Sequence, residues 1–337
     1  MLDWNINEDW KIRLNLSTLA LDVIAQDIEL CGAKSRTAFL NRVFLGYYPQ
    51  ARASVSSWRD ARAQQLCDRM QTLPQVWQEQ AVQALLSREI APEEPEKGHR
   101  SFLHNLSEPV VTALQSNIRD AVYYKNAAAY FRAVIEEYCR LPQYQREAIL
   151  YADWLAQIEK AIRTECQLEL TNAGGTVFKV HPVRVIPDIH GSYNYLACYA
   201  REPRQPLSEK RRCSFRINQL KNIRSTAEKA FLSEADRNRL EKAIREQGVQ
   251  FLTGDCISVQ VRLTEKGAKK LRRYLTMRPA QQGEPQGDVY TFRCTFTQAE
   301  YYFTKLGADA EILSPASLRK KFARTYCAAA NFYKEER

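Results

Sequence analysis

The hydrophobic repeat of this 337-residue chain changes from helical to alternating near Thr164. From residue 18 to this point apolar residues recur mostly at helical spacing, whereas residues 165–171 (ECQLELT) and 176–185 (TVFKVHPVRV) alternate as strands do. The sequence NAGG between them predicts a hairpin turn. Further strands are predicted over 193–199 and 213–218. Four or five short strands within about 60 residues indicate a small barrel or a strongly bent sheet.

The N-terminal segment predicts one strand followed by two helices. Residues 11–17 (KIRLNLS) alternate, and the polar side chains of the strand are Lys11, Arg13 and Asn15. The first helix is expected to begin at a cap on Ser17 or Thr18 and to end at Gly32, and the second to run from Lys34-Ser35 to just before Pro49. Because so small a unit cannot bury its apolar faces alone, we expect its strand to pair with that of a second copy, giving a homodimer.

This strand, helix, helix order over about residues 10–48 resembles the ribbon-helix-helix family, in which strands from two chains pair and enter the major groove of DNA. The resemblance implies that Lys11, Arg13 and Asn15 contact duplex DNA, and that the start of the second helix binds a phosphate through Lys34, Ser35 and Arg36. Dimerisation without DNA binding is the alternative, because residues 1–50 hold 5 Lys and Arg against 6 Asp and Glu.

Residues 51–160 predict a helical scaffold. Helices are expected to either side of Pro74 and over 106–117, 123–139 and 143–164, with an exposed linker at 91–100 (APEEPEKGHR). The tyrosines and phenylalanine between 123 and 138 stand at helical spacing, which favours a role in the core over a stacking surface.

Aromatic and basic residues come together between Tyr193 and Arg224. Tyr193, Tyr195 and Tyr199 fall on one side of a predicted strand and Arg216 on the polar side of the next, so we expect one exposed surface suited to bases and phosphates. The whole positive excess of the chain lies around it, since residues 171–278 hold 22 Lys and Arg against 10 Asp and Glu. That is the charge pattern of a polyanion-binding protein. A basic helix over 229–245 that only faces solvent would give the same local excess of charge, and it is the alternative for that part.

The succession HPVRVIP (181–187), YNYLACYA (193–200), a basic loop and RRCSFRINQLKNI (211–223) resembles the WYL-domain family of SH3- or Sm-like barrels. Its name-giving tripeptide is here Asn194-Tyr195-Leu196, without the tryptophan. WYL domains sense nucleic acid or nucleotide ligands, and the resemblance implies that Tyr195 and Arg216 do so here. The further candidate residues of this surface are His181, Tyr193, Arg201, Arg204, Lys210, Arg211 and Arg212.

After the predicted barrel, strands over 259–263 and 289–296 alternate with helices over 265–275 and 298–306, which indicates a ferredoxin-like layer. Its ending LGADAEILSP (306–315) is similar to the extension that commonly follows WYL domains. We therefore predict an α+β multidomain protein. Its segments are a ribbon-helix-helix domain (1–50), a helical scaffold (51–160), a WYL domain (161–230) and a dimerising C-terminal extension (231–337).

Enzyme chemistry has no recognisable basis in the sequence. Neither HExxH, GxxxxGK[ST] nor GxGxxG occurs, and the nine cysteines form no CxxC pair, so we expect no catalysis, no metal and no cofactor. The N-terminus lacks a basic and apolar leader and no apolar run is long enough to span a bilayer. A cytoplasmic location without membrane contact is expected.

A WYL module joined to a ribbon-helix-helix unit resembles the accessory proteins of type VI-D CRISPR systems, which bind single-stranded RNA and stimulate an RNA-targeting effector nuclease. This is the first expectation for the chain, because the charge excess lies on the WYL portion. The alternative is a transcription regulator with residues 11–36 on duplex DNA and a nucleotide or oligonucleotide on the WYL domain.

Overall fold

The computed structural model describes residues 10–52, 54–70, 74–86, 101–116, 124, 126–188, 193–201 and 210–333, with the backbone alone for 55–61 and 83–86. The chain divides into two compact units, residues 1–152 and 153–337. The predicted linker at 91–100 lies outside the described residues.

The first strand of the N-terminal unit, β1 (Lys11–Leu14), pairs antiparallel with β2 (Phe102–Asn105) of the same chain. The predicted alternation is confirmed, since Ile12 and Leu14 are buried and the basic side chains of Lys11 and Arg13 are exposed. The strand partner differs from the one expected, a second copy, because a segment far along the same chain covers one edge of β1. Pairing with a second copy through the other edge stays a prediction.

The two helices after β1 begin and end where their capping residues predict. Helix α1 (Thr18–Cys31) starts at Ser17, whose side chain accepts a hydrogen bond from the Ala20 N–H, and stops at Gly32 with φ of 62°. Helix α2 (Arg36–Tyr47) starts at Ser35, which caps it in the same way. Both starts follow from the affinity of a hydroxyl oxygen for the unpaired N–H groups of a first helical turn.

Six further helices belong to the predicted helical region: α3 (Val55–Arg69), α4 (Gln75–Leu86), α5 (Glu108–Ser116), α6 (Ala127–Arg140), α7 (Gln143–Leu150) and α8 (Ala152–Arg163). Helix α6 forms the core of the N-terminal unit, with Tyr130, Phe131 and Tyr138 fully buried. The ring of Phe44 stacks on that of Phe131 with 4.7 Å between centroids. The interpretation of these aromatics as core residues is confirmed for all but Tyr123, which lies outside the described residues.

Five antiparallel strands follow in the second unit: β3 (Cys166–Asn172), β4 (Val177–Asp188), β5 (Tyr193–Arg201), β6 (Arg211–Arg216) and β7 (Leu220–Lys229). Their order in the sheet is β6-β5-β4-β3-β7. The predicted NAGG turn is confirmed between β3 and β4, where Gly175 has φ of 81° and the Asn172 side chain accepts the Thr176 N–H. Strand β7 was not predicted; it follows a 3₁₀ turn (Ile217–Gln219) and pairs with β3.

Helix α9 (Glu234–Gln247) and a 3₁₀ turn (Val249–Phe251) connect this sheet to a second one. The second sheet has the order β11-β8-β10-β9 and consists of β8 (Cys256–Leu263), β9 (Ala280–Gln281), β10 (Val289–Thr295) and β11 (Ala310–Ser314). Its helices are α10 (Glu265–Arg273), α11 (Phe296–Thr304) and α12 (Ala316–Phe332). Among the described residues, no helix has the length and apolarity to cross a bilayer, and no three His, Cys, Asp or Glu side chains cluster to hold a metal.

Candidate nucleic-acid interface

The tyrosine row of β5 is largely covered, which corrects the expectation of an exposed aromatic surface. Tyr195 and Tyr199 are only 8% and 6% exposed and pack with Leu240 and Ala243 of α9. The Tyr199 hydroxyl donates to the backbone oxygen of Asp236 at 2.9 Å. The alternation correctly placed these rings on one face, but α9 covers that face because the helix must itself bury an apolar stripe.

Arg216 lies where the covered row reaches the surface, and the structure brings it together with two tyrosines as predicted. Strand register places Arg216 directly opposite Tyr195. Its guanidinium carbon lies 3.7 Å from the centroid of the Tyr193 ring, and its Nη2 donates to the Tyr195 hydroxyl at 3.4 Å. Stacking and this hydrogen bond orient a half-buried guanidinium, and an arginine so held is suited to a phosphate or a base edge.

His181 of β4 is the strand partner of Tyr199 and is buried, with 5% of its surface exposed. Burial lowers its pKa to about 4, and the positive charges of Lys210 and Arg201 add to the effect. Its Nδ1 has no hydrogen-bond partner among the described residues. A neutral, buried imidazole supplies no positive charge at neutral pH, so a role of His181 in ligand binding would rest on hydrogen bonding, and it stays a prediction.

The remaining predicted basic residues of the face lie at the other end of the two strands. Arg211 and Arg212 are exposed on β6, opposite Ala200 and Tyr199, and Arg201 is exposed at the end of β5. Arg204 lies outside the described residues. The described arginines thus extend from one end of β6 to the other.

A cavity of about 920 Å³ opens beside β6. We call it the β6 groove. It is lined by Asn172, Phe178, Tyr199, Ala200, Lys210, Arg211, Arg212, Cys213, Ser214, Phe215, Asp236, Arg239, Leu252, Thr253, Gly254 and Asp255. Sequence reasoning missed Phe178 and assigned Phe215 to the buried side of its strand; both are half-buried, with 5.2 Å between their ring centroids. The one sequence signal for Phe178 is its position just after the NAGG turn, which brings it to the tip of a hairpin.

Three basic residues of the C-terminal layer that the sequence offered for a basic surface pair with carboxylates. Arg262 pairs with Glu311 at 2.7 Å, and Lys270 pairs with Asp309 at 2.7 Å. Lys269 is bonded to Glu265 one turn earlier on the same helix. These three cations belong to local ion pairs.

The six candidate DNA-contacting residues lie on β1 and at the start of α2. Lys11 and Arg13 are exposed, and Arg13 donates to the Ser101 hydroxyl at 3.4 Å. Asn15 follows β1 and is half-buried. Lys34 and Ser35 are exposed, and the Ser35 hydroxyl already accepts the Ala38 N–H.

Arg36 connects the start of α2 to the strands β1 and β2. Its guanidinium carbon lies 3.8 Å from the centre of the Phe102 ring, and Phe102 of β2 is the strand partner of Leu14. The start of α2 therefore adjoins the ribbon formed by β1 and β2.

Residues 256–330 match the family model of the WCX domain, which is related to the WYL family. The resemblance of the chain to WYL-domain proteins, including an extension at its C-terminal end, is thereby confirmed.

Among solved structures, the chain is similar to one described as a CRISPR Cas-related protein. The likeness covers 97% of this chain and 94% of that one, with a TM-score of 0.76 and 21% identity, and it shows a shared fold. Proteasome accessory factor B/C of Arthrobacter aurescens matches far more weakly, with a TM-score of 0.30 and 16% identity over 85% of this chain and 52% of that chain. No curated protein sequence matches the chain.

Proposed function

We propose that this chain is a non-enzymatic accessory or regulatory protein of a CRISPR system, and that its WYL portion binds single-stranded RNA and thereby stimulates an RNA-targeting effector nuclease. The match to the WCX domain and the likeness in fold to a CRISPR Cas-related protein support the class of protein. The positive excess of residues 171–278 supports a polyanionic ligand.

The observation that carries the RNA-binding part is the arrangement of Arg216 between Tyr193 and Tyr195. Tyr193 is half-buried, so its ring and the guanidinium stacked on it both retain contact with solvent. Bases of a single strand stack on aromatic rings and on arginine planes, and phosphates accept charge-assisted hydrogen bonds from the guanidinium. Tyr195 orients Arg216, because its hydroxyl accepts a hydrogen bond from the guanidinium.

The finer fold assignments belong to the same proposal. A five-stranded antiparallel order β6-β5-β4-β3-β7, with a 3₁₀ turn before the last strand, supports an SH3- or Sm-like barrel. The order of elements from β8 to β11 is β-α-β-β-α-β, which supports a ferredoxin-like layer.

We further propose that the protein acts as a homodimer. Only Leu318 and Phe322 of α12 are buried, and the helix then continues exposed to Phe332 and Tyr333, which are 77% and 83% exposed. Exposed aromatics on a projecting helix favour association with a second copy. Analytical ultracentrifugation of Phe332→Ser and wild type across protein concentration tests this; equal sedimentation of both as monomers rules the dimer out.

RNA binding is tested by titrating a fluorescein-labelled single-stranded RNA with wild type, Arg216→Ala and the matched control Arg293→Ala. Arg293 is exposed on β10 in the other sheet, so its loss removes the same charge away from the candidate site. We expect Arg216→Ala to weaken binding about tenfold or more, the equivalent of about 1.4 kcal/mol, and Arg293→Ala to change it little. Equal affinity of all three proteins rules out the assigned site.

The second candidate function is duplex DNA binding by a transcription regulator. The observation that favours it is the adjacency of Arg36 to the β1–β2 ribbon, on which Lys11 and Arg13 are exposed. It predicts that Arg13→Ala, and not Arg216→Ala, abolishes binding, and only to a duplex of defined sequence. That result would overturn the accessory function.

A further inference from the structure

The β6 groove combines aromatic rings and positive charge in one open cavity. Its volume of about 920 Å³ lies within the range of small-ligand sites, about 300–1,000 Å³. It is formed beside an edge strand, since β6 has β5 on one side and ends the order of its sheet. The backbone N–H of Ser214 on this edge donates to the Thr253 hydroxyl at 3.4 Å, so the loop after α9 forms the opposite wall.

The aromatic component is the pair Phe178 and Phe215. Their rings lie 5.2 Å apart at an angle of 58°, and both are half-buried, so each presents part of a ring to the groove. Strand register directs Phe215 to the side of Leu196, opposite to the side that carries Arg216 and the tyrosine row. These rings are therefore separate from the Arg216 arrangement, although both lie on β6.

The charged component lines the same groove. Four cations line the groove, Lys210, Arg211, Arg212 and Arg239, against the two carboxylates Asp236 and Asp255. Asp236 is already engaged, because its carboxylate accepts from the Ser233 hydroxyl at 2.7 Å and lies 3.6 Å from Arg239. The groove thus offers a positive wall beside an apolar floor, which suits a planar base attached to a phosphate.

We propose that the β6 groove holds a nucleobase of the bound single strand, stacked on Phe178 and Phe215, with Arg211 and Arg212 on the adjoining phosphates. The inference rests on the proposed RNA-binding function and adds a second contact site to it. Arg212 and Arg216 are four residues apart on one strand, about 13 Å, so one oligonucleotide reaches both the groove and the Arg216 arrangement.

The test uses the full chain and a single-stranded RNA that carries 2-aminopurine, whose fluorescence is quenched when it stacks. Wild type, Phe215→Leu, Phe178→Leu and the matched control Tyr290→Leu are compared. Tyr290 is a half-buried ring that pairs with Phe292 in the other sheet, so its loss costs a similar ring contact outside the groove. Circular dichroism melting of each variant verifies that it is folded.

We expect Phe215→Leu to weaken RNA binding about fivefold or more and to relieve the quenching, and we expect Phe178→Leu to act in the same direction. Tyr290→Leu is expected to bind as wild type does. An RNA in which one nucleotide is abasic should bind wild type more weakly than the intact RNA and should lose little further affinity for Phe215→Leu. A folded Phe215→Leu that binds and quenches as wild type overturns the groove proposal, as does an unfolded Phe215→Leu together with a Phe178→Leu that behaves as wild type.

The two proposals fail in different ways. If Arg216→Ala weakens binding while both phenylalanine variants are neutral, the RNA-binding function stands and the groove is not part of it. If wild type binds no single-stranded RNA at any salt concentration, both are wrong. Replacement of Arg211 by Gln should lower the slope of log affinity against log salt by about 1, as expected when one phosphate contact is lost.

Discussion

Acid should destabilise the sheet of the second unit through His181. Burial holds the pKa of this imidazole at about 4, against 6.5 in an unfolded chain, and the cations Lys210 and Arg201 outweigh the opposing charge of Glu228. Below pH 6.5 the unfolded chain takes up a proton that the folded protein accepts only near pH 4. Stability is therefore full above pH 6.5 and is lost as the pH falls towards 4.

The size of the loss follows from the two pKa values. The folded and unfolded states differ by about 3 kcal/mol in proton affinity at this site. The free energy of unfolding should therefore already be about 2 kcal/mol lower at pH 5 than at neutral pH. Replacement by leucine removes the titrating group. Between pH 7 and pH 5 the free energy of unfolding should consequently fall by about 2 kcal/mol less in His181→Leu than in wild type, whatever the absolute stability of the variant.

Native-state hydrogen exchange of the β4 and β5 amides measures this free energy within the second unit. His104 provides a matched control, because burial and Arg36 lower its pKa to about 4 as well, but it lies on β2 in the N-terminal unit. His104→Leu should leave the pH dependence of the β4 and β5 amides unchanged. Parallel losses of stability in wild type and His181→Leu would mean that the buried imidazole is protonated in the folded protein, and the reasoning from burial would be wrong.

Two further predictions concern packing. Asp27 accepts hydrogen bonds from Arg146 at 2.8 Å and from the Tyr138 hydroxyl at 2.9 Å, and all three residues are buried. In urea titrations Asp27→Ala should therefore lower the free energy of unfolding of the N-terminal unit by about 3–5 kcal/mol, and adding Arg146→Met should restore part of that loss. A loss below about 1 kcal/mol would contradict a buried ion pair. A Cβ on Gly267 would collide with the backbone oxygen of Asp309. Gly267→Ala should therefore lower the free energy of unfolding by about 1–3 kcal/mol, measured as a lower melting midpoint. An unchanged midpoint would mean that α10 is free to shift.

Local chemistry made much of the secondary structure predictable. Ser17, Gly32 and Ser35 define helix ends through contacts within three residues, and the NAGG turn requires only its own backbone geometry. Alternation likewise identified which side chains of β5 share a face. Each of these features depends on neighbours in sequence, which is why they could be found without a structure.

The failures all concern partners distant in sequence. Strand β2 has four residues and forms only by pairing with β1, about 90 positions away. Strand β7 has buried side chains only at Leu220 and Ile223, too few for a clear alternation, and becomes a strand by pairing with β3. The cover of α9 over the tyrosine row is a third case, since alternation defines a face but not what packs on it.

Covering the tyrosine row moves the candidate binding chemistry from the face of a sheet to its edge. On a face, Tyr193, Tyr195 and Tyr199 would form a flat platform, but α9 leaves only the end near Arg216 in contact with solvent. At the edge strand β6, Arg216 and Phe215 point to opposite sides, so a ligand that contacts both must bend around the strand. A single strand bends over such a distance easily, whereas a duplex is stiff over about 150 base pairs. The geometry of β6 therefore supports a single strand, rather than a duplex, as the ligand that we propose for this unit, independently of its charge.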